Sequence, residues 1–165
     1  MKKIEEYFEL IYPDRRNKLI EFHNVYLHLF NVSRGSNINH QYWEGGYRDH
    51  LEQFLFIAEH LFKINFDFNF DSVFMVCYFH DIEKLWKYST GLNLTFDKDN
   101  YLKYQLPKHG IILTNEELNA IKYIHGENED YGKVIMTSLG AFCHACDILS
   151  ARSFSHKKEV TFRYC

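Results

Sequence analysis

The sequence predicts an all-α fold, and three observations support this prediction. Apolar residues recur mainly at intervals of three and four, the spacing that places them on one face of a helix. Only two prolines and eight glycines occur in 165 residues, so long helices are seldom interrupted. The one alternating segment, residues 64–70 (INFDFNF), has no evident partner strand and is interpreted as a loop.

Three helices are expected in the N-terminal part of the chain. Their apolar faces are marked by residues at helical spacing, namely Ile4, Tyr7, Phe8 and Ile11, then Leu19, Phe22, Tyr26 and Phe30, and finally His50, Phe54, Ile57 and Leu61. The first is expected to end at Pro13, and the third to cover about residues 47–62. Residues 33–46 are polar, contain glycine and are too many for a tight turn, which predicts a loop.

Three more helices are expected in the C-terminal part. Asp71 or Ser72 is expected to cap the first, which runs to about Leu85. The polar, tyrosine-rich residues 87–107 are interpreted as a loop that covers a substrate. The second begins at a capping box formed by Thr114 and Glu117, and the last runs from about 133 to 152. The inward face of the second is expected to carry Leu118, Ile121 and His125.

The composition excludes several classes of protein. Aromatic residues make up 18% of the chain, far more than a disordered chain carries, and no uncharged apolar run is long enough to span a membrane. The N-terminal MKKIEEYFEL is charged and amphipathic, unlike a signal peptide. The net charge of −3 and the lack of a basic stripe argue against a nucleic-acid partner. Four cysteines without a secretory signal are typical of a cytoplasmic protein with reduced thiols.

Ten histidines are the unusual feature of the composition, and two of them are candidate metal ligands. His80 and Asp81 are adjacent at the end of an apolar helix, and His50 lies on the inner face of the preceding helix. Asp147 stands among apolar residues of the last helix, where an unpaired buried carboxylate is costly. Two imidazoles and two carboxylates from three helices form a mixed nitrogen and oxygen site, which suits a divalent ion of Mn, Fe, Co, Ni, Zn or Mg.

The order of these four residues resembles the HD-domain superfamily of metal-dependent phosphohydrolases. The segments that carry the resemblance are NHQYWEGGYRDHLEQ, YFHDIEKL, LTNEELNAIKYIHGENEDY and CHACDILSAR, which together span about residues 38–152. The resemblance implies a compact helical bundle, a single HD domain over residues 1–165 whose core holds the metal at about 38–152. The helices of residues 1–31 are expected to pack on that core. Glu83 departs from the family pattern, which has glycine there, and a carboxylate so near the metal would repel phosphate or narrow the pocket.

The resemblance also implies the number of metal ions and the catalytic residues. One ion at His50, His80, Asp81 and Asp147 is expected, and two ions are the alternative, because longer members bind a second metal through two further histidines. His109 and His125 stand in the corresponding order. With a single ion these two histidines would instead bind phosphate or transfer protons. The catalytic residues that follow are Asp81, Lys84, His109 and His125.

Residues near the ligands are the candidate substrate contacts. Lys84 stands four residues past His80, shares its helical face and is expected to reach a phosphate oxygen. Arg48 is expected to hold a phosphate with its planar guanidinium, and His40 and Glu44 flank the glycine pair before His50. His144 is interpreted as a residue of the core or of the surroundings of the metal. The Cys143-x-x-Cys146 spacing lacks the second pair of a zinc site and is attributed to packing.

Three functions are left open by the sequence. The first is a phosphohydrolase that uses metal-activated water on a small nucleotide, whether a nucleoside monophosphate, a triphosphate, a dinucleotide or a cyclic nucleotide. The second is a phosphodiesterase or exonuclease on RNA or single-stranded DNA, and the third is a non-catalytic nucleotide-binding protein. A phage-like origin is suggested by short relatives in this superfamily, which predicts a location in the cytoplasm of a cell or of an infected host. A homo-oligomer is left open.

Overall fold

The all-α prediction is confirmed by a computed structural model that describes residues 1–63, 66–89, 96–127 and 135–154. The described residues contain α-helices with short 3-10 and π turns and no strand. The helices are α1 (Ile4–Tyr7), α2 (Pro13–Val32), α3 (Gly46–Leu61), α4 (Phe70–Phe79), α5 (Lys84–Lys87), α6 (Lys98–Asn100), α7 (Asn115–Tyr123) and α8 (Ser138–Ser153). Within these ranges, none of the helices combines the length and the apolar character needed to cross a membrane.

The core is formed where α3, α4, α7 and α8 pack against one another. Residues 73–79 of α4 are completely buried, and α3 contributes Leu51, Phe54 and Leu55 to the same core. Aromatic side chains of α2 and of the turn after α1 extend this core on one side, where Phe22 contacts Tyr78 edge-on and Phe8 contacts it at a tilt. The site residues on α3, α4 and α8 are therefore held by helices that cannot shift without disturbing the core.

The first proline has a different role from the one expected. Pro13 is the first residue of α2 and not only the end of the preceding segment, because a proline at this position loses no helical hydrogen bond. α1 is followed by a short 3-10 turn over residues 8–10. The buried Ile4, Tyr7 and Ile11 confirm the apolar face predicted for this segment.

The start and the end of α4 both differ from the prediction. The cap is Asn69, whose side chain accepts a hydrogen bond from the Ser72 backbone N–H, because the Asp71 carboxylate is taken by Arg15 and by the Tyr12 N–H. The helix ends at Phe79, whereas the apolar pattern predicted an end near Leu85. A turn follows, and α5 then begins at Lys84.

Part of the segment predicted as a loop at 87–107 is helical. α6 continues into a π turn at Tyr101–Gln105 and a 3-10 turn at Leu106–His109. Aromatic packing explains this order, because Trp86 stacks on Phe96 and both contact Tyr101. Residues 90–95 lie outside the described residues, so the substrate-covering role predicted for this loop stays a prediction there.

The capping box at the start of α7 is confirmed, with the Thr114 hydroxyl accepting from the Glu117 N–H and the Glu117 carboxylate accepting from the Thr114 N–H. α7 ends at Tyr123, so His125 lies in the turn after the helix and not on its inner face. Thr137 caps α8, which begins at Ser138, later than expected, and residues 133 and 134 lie outside the described residues.

The loop before α3 is packed so closely that one position admits only glycine. A Cβ on Gly46 would lie 1.9 Å from the Gln41 carbonyl oxygen. Gln41 is buried with φ of 42°, and its amide nitrogen donates to Gln53 Oε1 and to the Ser150 carbonyl. These bonds join the loop to α3 and α8, which are the helices that carry His50 and Asp147.

Candidate metal centre

Three buried side chains from different parts of the chain converge in the core. His50 projects from α3, His80 caps the end of α4 and Asp147 projects from α8, and their ligand atoms lie within 4.8 Å of one another. Asp147 Oδ1 is 3.1 Å from His50 Nε2 and 3.5 Å from His80 Nε2. This group has the donor atoms and the spacing to hold a metal ion, and we call it the His-His-Asp cluster.

The far nitrogen of each imidazole in the cluster is fixed by a hydrogen bond. The Ser150 hydroxyl donates its only proton to the His50 carbonyl. It therefore acts as the acceptor toward His50 Nδ1–H, at 2.9 Å. His80 Nδ1–H donates to the Cys77 carbonyl at 2.7 Å. Both Nε2 atoms therefore point into the cluster, and each is buried without a hydrogen bond of acceptable geometry. Histidine ligands in metal sites are commonly oriented by such bonds from the second nitrogen.

Asp81 and Lys84 lie at the edge of the cluster. Asp81 Oδ2 is 3.3 Å from His80 Nε2, and Lys84 Nζ is 2.5 Å from the same oxygen. The turn after α4 makes this possible, because it lets two consecutive side chains, His80 and Asp81, face one point. The Lys98 ammonium donates to the His80 carbonyl at 2.8 Å and so holds the turn.

The charges of the cluster favour a positive charge at its centre. Burial lowers the pKa of His50 to about 4, so this imidazole is neutral. Burial also opposes the charged form of His80, but the carboxylates of Asp81 and Asp147 outweigh it and raise the pKa of His80 to about 10. The pKa of Asp147 stays well below its usual range, since the neighbouring histidines outweigh its burial. Either a proton on His80 or a divalent cation can balance the negative charges of these carboxylates.

His125 contacts both carboxylates of the site from the solvent side. Its Nε2 is 3.2 Å from Asp81 Oδ1, its Nδ1 is 3.3 Å from Asp147 Oδ2, and its side chain is 55% exposed. These two carboxylates raise the pKa of His125 to about 9, so it is protonated at neutral pH. His144 lies next to this turn, because its Nδ1 contacts the carbonyl of Ile124, the residue before His125.

Three of the predicted site residues are not brought to the cluster. Arg48 pairs with Glu5 and Glu52, so its guanidinium is already engaged by carboxylates. His109 packs edge-on against Phe22 with ring centroids 5.1 Å apart and lines a different cavity. Glu44 is exposed in the loop before α3. The predicted phosphate contact through Arg48 and the second metal through His109 therefore find no support in the described residues.

A cavity of about 520 Å³ opens onto Asp147. His40, one of the predicted substrate contacts, lines it, and its ring centroid is 5.6 Å from that of His50. Sequence reasoning missed the other residues of the wall. Helical spacing could have pointed to part of it, because Ala151 stands four residues after Asp147 on the same face of α8. The missed lining residues are Asn39, Ile148, Ala151 and Arg152.

Comparisons with known proteins identify no relative: no family model matches the chain, and no curated protein or solved structure matches it. Function is therefore inferred from the side chains of the cluster, from the cavity above it and from the resemblance of the motifs.

Proposed function

We propose that this protein is a metal-dependent phosphohydrolase of the HD type that acts on a small nucleotide. The observation that supports it most directly is the pair of buried, unpartnered Nε2 atoms of His50 and His80, which face Asp147. Asp147, which these atoms face, lines a cavity of about 520 Å³. The HD-like order of the motifs supports the same proposal.

The donor set fits a divalent cation. A buried polar atom without a partner costs about 1–3 kcal/mol, and a cation would give both Nε2 atoms and the Asp147 oxygen a partner at once. His50, His80 and Asp147 would hold the ion, with Asp81 as a fourth ligand. Imidazole nitrogen with carboxylate oxygen suits Mn, Fe, Co, Ni, Zn or Mg. When bound, such an ion supplies Lewis acidity that polarises a phosphoryl oxygen and activates water.

The protein's own side chains would stabilise and protonate the reacting groups. Lys84, whose ammonium lies beside Asp81, offsets negative charge on the phosphoryl oxygens. His125 contacts both Asp81 and Asp147 and is exposed to the solvent side of the site. It is therefore placed to protonate the leaving oxygen as a general acid.

The size of the cavity and the charge of the chain favour a small substrate over a polymer. A volume of about 520 Å³ falls in the usual range for pockets that bind small ligands. The net charge of −3 is opposite to that of proteins that follow a nucleic-acid backbone. A nucleotide therefore suits the site better than RNA or single-stranded DNA.

Metal analysis with a substrate panel tests this proposal. Protein reconstituted with Mn²⁺ is expected to retain about one ion per chain and to release phosphate, pyrophosphate or triphosphate from a mixed nucleotide library. The His80→Ala variant should lose metal and at least about 100-fold in turnover, because one ligand and its chemistry are removed. His28→Ala, which changes an exposed histidine on α2, is the matched control and should keep both.

Three results would contradict the proposal. The first is a protein that binds none of the six metals, and the second is a metal-loaded protein that hydrolyses no nucleotide. The third is faster shortening of labelled oligonucleotides than hydrolysis of any nucleotide, which would favour the exonuclease alternative. Undiminished turnover by His80→Ala would place the activity outside this cluster.

A further inference from the structure

We propose that Arg152, together with Asn39 and His40, forms a subsite for a second anionic group of the substrate. The preferred substrate would then carry two or more phosphoryl groups. This inference rests on the proposed function, in which the reacting phosphoryl group is held at the His-His-Asp cluster. The subsite occupies the cavity that opens onto Asp147.

The position of Arg152 on α8 suits a group beyond the reacting one. Arg152 stands five residues after Asp147, which corresponds to about 7.5 Å along the helix axis. Both residues line the same cavity, but they are offset along it and do not share one contact point. An extended anion can therefore reach the cluster with one end and Arg152 with the other.

The guanidinium of Arg152 differs from those that the protein uses to stabilise its fold. Arg15, Arg16 and Arg48 are each engaged by carboxylates. Arg152 is exposed and, within residues 1–63, 66–89, 96–127 and 135–154, has no hydrogen-bond or ion-pair partner. An exposed arginine that lines a cavity and has no such partner is suited to bidentate binding of a phosphate.

The opposite wall of the subsite is held in place by a serine. The Ser36 hydroxyl accepts hydrogen bonds from the backbone N–H groups of Asn39 and His40, both at 3.0 Å, and donates to the His40 carbonyl at 2.7 Å. These contacts fix the backbone of the two residues that line the cavity. His40 also lies within the electrostatic range of two cations, Lys84 and Arg152, and of two carboxylates, Asp81 and Asp147.

The remaining wall is apolar. Ile148 and Ala151 line the cavity between Asp147 and Arg152, and the Ile148 side chain is 44% exposed. An apolar wall beside an anion subsite suits a ligand that has both phosphates and a flat organic part, as a nucleotide has.

Isothermal titration calorimetry with two inorganic probes tests the subsite directly. Orthophosphate and tripolyphosphate are titrated into the full-length protein in excess MgCl₂, so that the magnesium complex of each probe is present throughout. The wild type should bind tripolyphosphate more tightly than orthophosphate. Arg152→Met should weaken tripolyphosphate binding by about tenfold or more and change orthophosphate binding less than about twofold, because the charge-assisted hydrogen bonds that it removes reach only the second anionic group.

Matched variants separate recognition by Arg152 from loss of fold or of general charge. Arg152→Lys keeps the charge without the planar guanidinium and should lose part of the tripolyphosphate affinity. Arg34→Met removes an exposed arginine that does not line the cavity and should bind both probes as the wild type does. The melting temperature of each variant is measured first, and a value equal to that of the wild type shows that the fold is intact.

The outcomes also distinguish this inference from the proposed function. Equal loss for both probes on Arg152→Met, no loss for either, or a wild type that binds tripolyphosphate no tighter than orthophosphate would overturn the subsite. A protein that binds tripolyphosphate through Arg152 but hydrolyses no nucleotide would retain the subsite and overturn the phosphohydrolase proposal.

Discussion

A single hydroxyl group determines which nitrogen of His50 faces the cluster. Ser150 lies on α8 three residues after Asp147, and its hydroxyl donates to the His50 carbonyl at 3.2 Å. Its one proton is thereby used, so it can only accept from the imidazole, which keeps a proton on Nδ1. Nε2 is then left with its lone pair toward Asp147. Ser150 thus couples His50 on α3 to Asp147 on α8.

Replacing Ser150 by alanine should weaken metal binding without unfolding the protein. Without the hydroxyl, the His50 ring is free to take the other tautomer, and loss of such an orienting contact lowers metal affinity about 10–100-fold. Titration with Mn²⁺ by calorimetry measures this directly. Ser153→Ala, on the exposed end of α8, is the control and should bind metal as the wild type does. Equal metal affinity for Ser150→Ala and wild type would exclude this role for the hydroxyl.

At the residue scale, the sequence predicted the residues of the His-His-Asp cluster better than the residues around it. His50, His80 and Asp147 were predicted to converge from their places on helices and from the order of motifs that resembles the HD domain, and the structure brings them together. Arg48 was chosen for its nearness in sequence to His50, but α1 brings Glu5 against it, a contact between residues far apart in the chain. Arg152 was missed for the same reason, since only the folded loop before α3 makes a cavity beside it.

At the scale of elements, three helices are joined by one arginine. Arg15 at the start of α2 bonds to both oxygens of Glu117 on α7, each at 2.8 Å, and to Asp71 on α4 at 2.6 Å. The two carboxylates are almost fully buried, whereas Arg15 is 23% exposed. Their charges are tolerated because the guanidinium satisfies both. The pKa of Arg15 is raised, because the two carboxylates outweigh the effect of its burial.

Arg15→Met should destabilise the fold strongly, because it leaves two buried carboxylates without a cation. Breaking a buried ion pair from one side costs about 3–5 kcal/mol, and partial exposure of Arg15 places the expected loss at the lower end. Urea denaturation followed by circular dichroism measures it. Arg34→Met is the control, since Arg34 is exposed in the loop before α3 and the expected loss is below about 0.5 kcal/mol. Similar losses for the two variants would contradict this account.

Helix boundaries were predictable where the signal is local. The capping box at Thr114 uses residues three apart, so its sequence is sufficient to predict the start of α7. The end of α4 is not encoded locally, because apolar residues continue through Ile82 and Leu85. Lys98, far along the chain, binds the His80 carbonyl at the point where the helix stops. The sequence alone does not show this tertiary contact.

At the scale of the whole molecule, the all-α class could be predicted from the helical spacing of the apolar residues. The helices that carry the His-His-Asp cluster also have small cysteine side chains next to it. Cys77 on α4 stands three residues before His80, and Cys146 on α8 directly precedes Asp147. Together with Cys143 these thiols are buried and free. The Cys143-x-x-Cys146 spacing therefore belongs to helix packing behind the site, as the sequence predicted. Small side chains let α4 and α8 approach closely enough for His80 and Asp147 to meet.

The three buried thiols should report global unfolding. Burial raises the pKa of Cys146 to about 12 and raises the pKa values of Cys77 and Cys143, so almost no thiolate forms at pH 8. In a Cys165→Ser background, alkylation of the native protein by iodoacetamide should be at least about 1,000-fold slower than alkylation in urea, because reaction requires opening of the core. Mass spectrometry of the labelled peptides measures the extent of alkylation at each cysteine. The reaction of free cysteine at the same pH is the control for the reactivity of the iodoacetamide. Rapid native labelling at Cys143 or Cys146, or a disulfide between them, would instead mean a reactive pair and contradict the packing role.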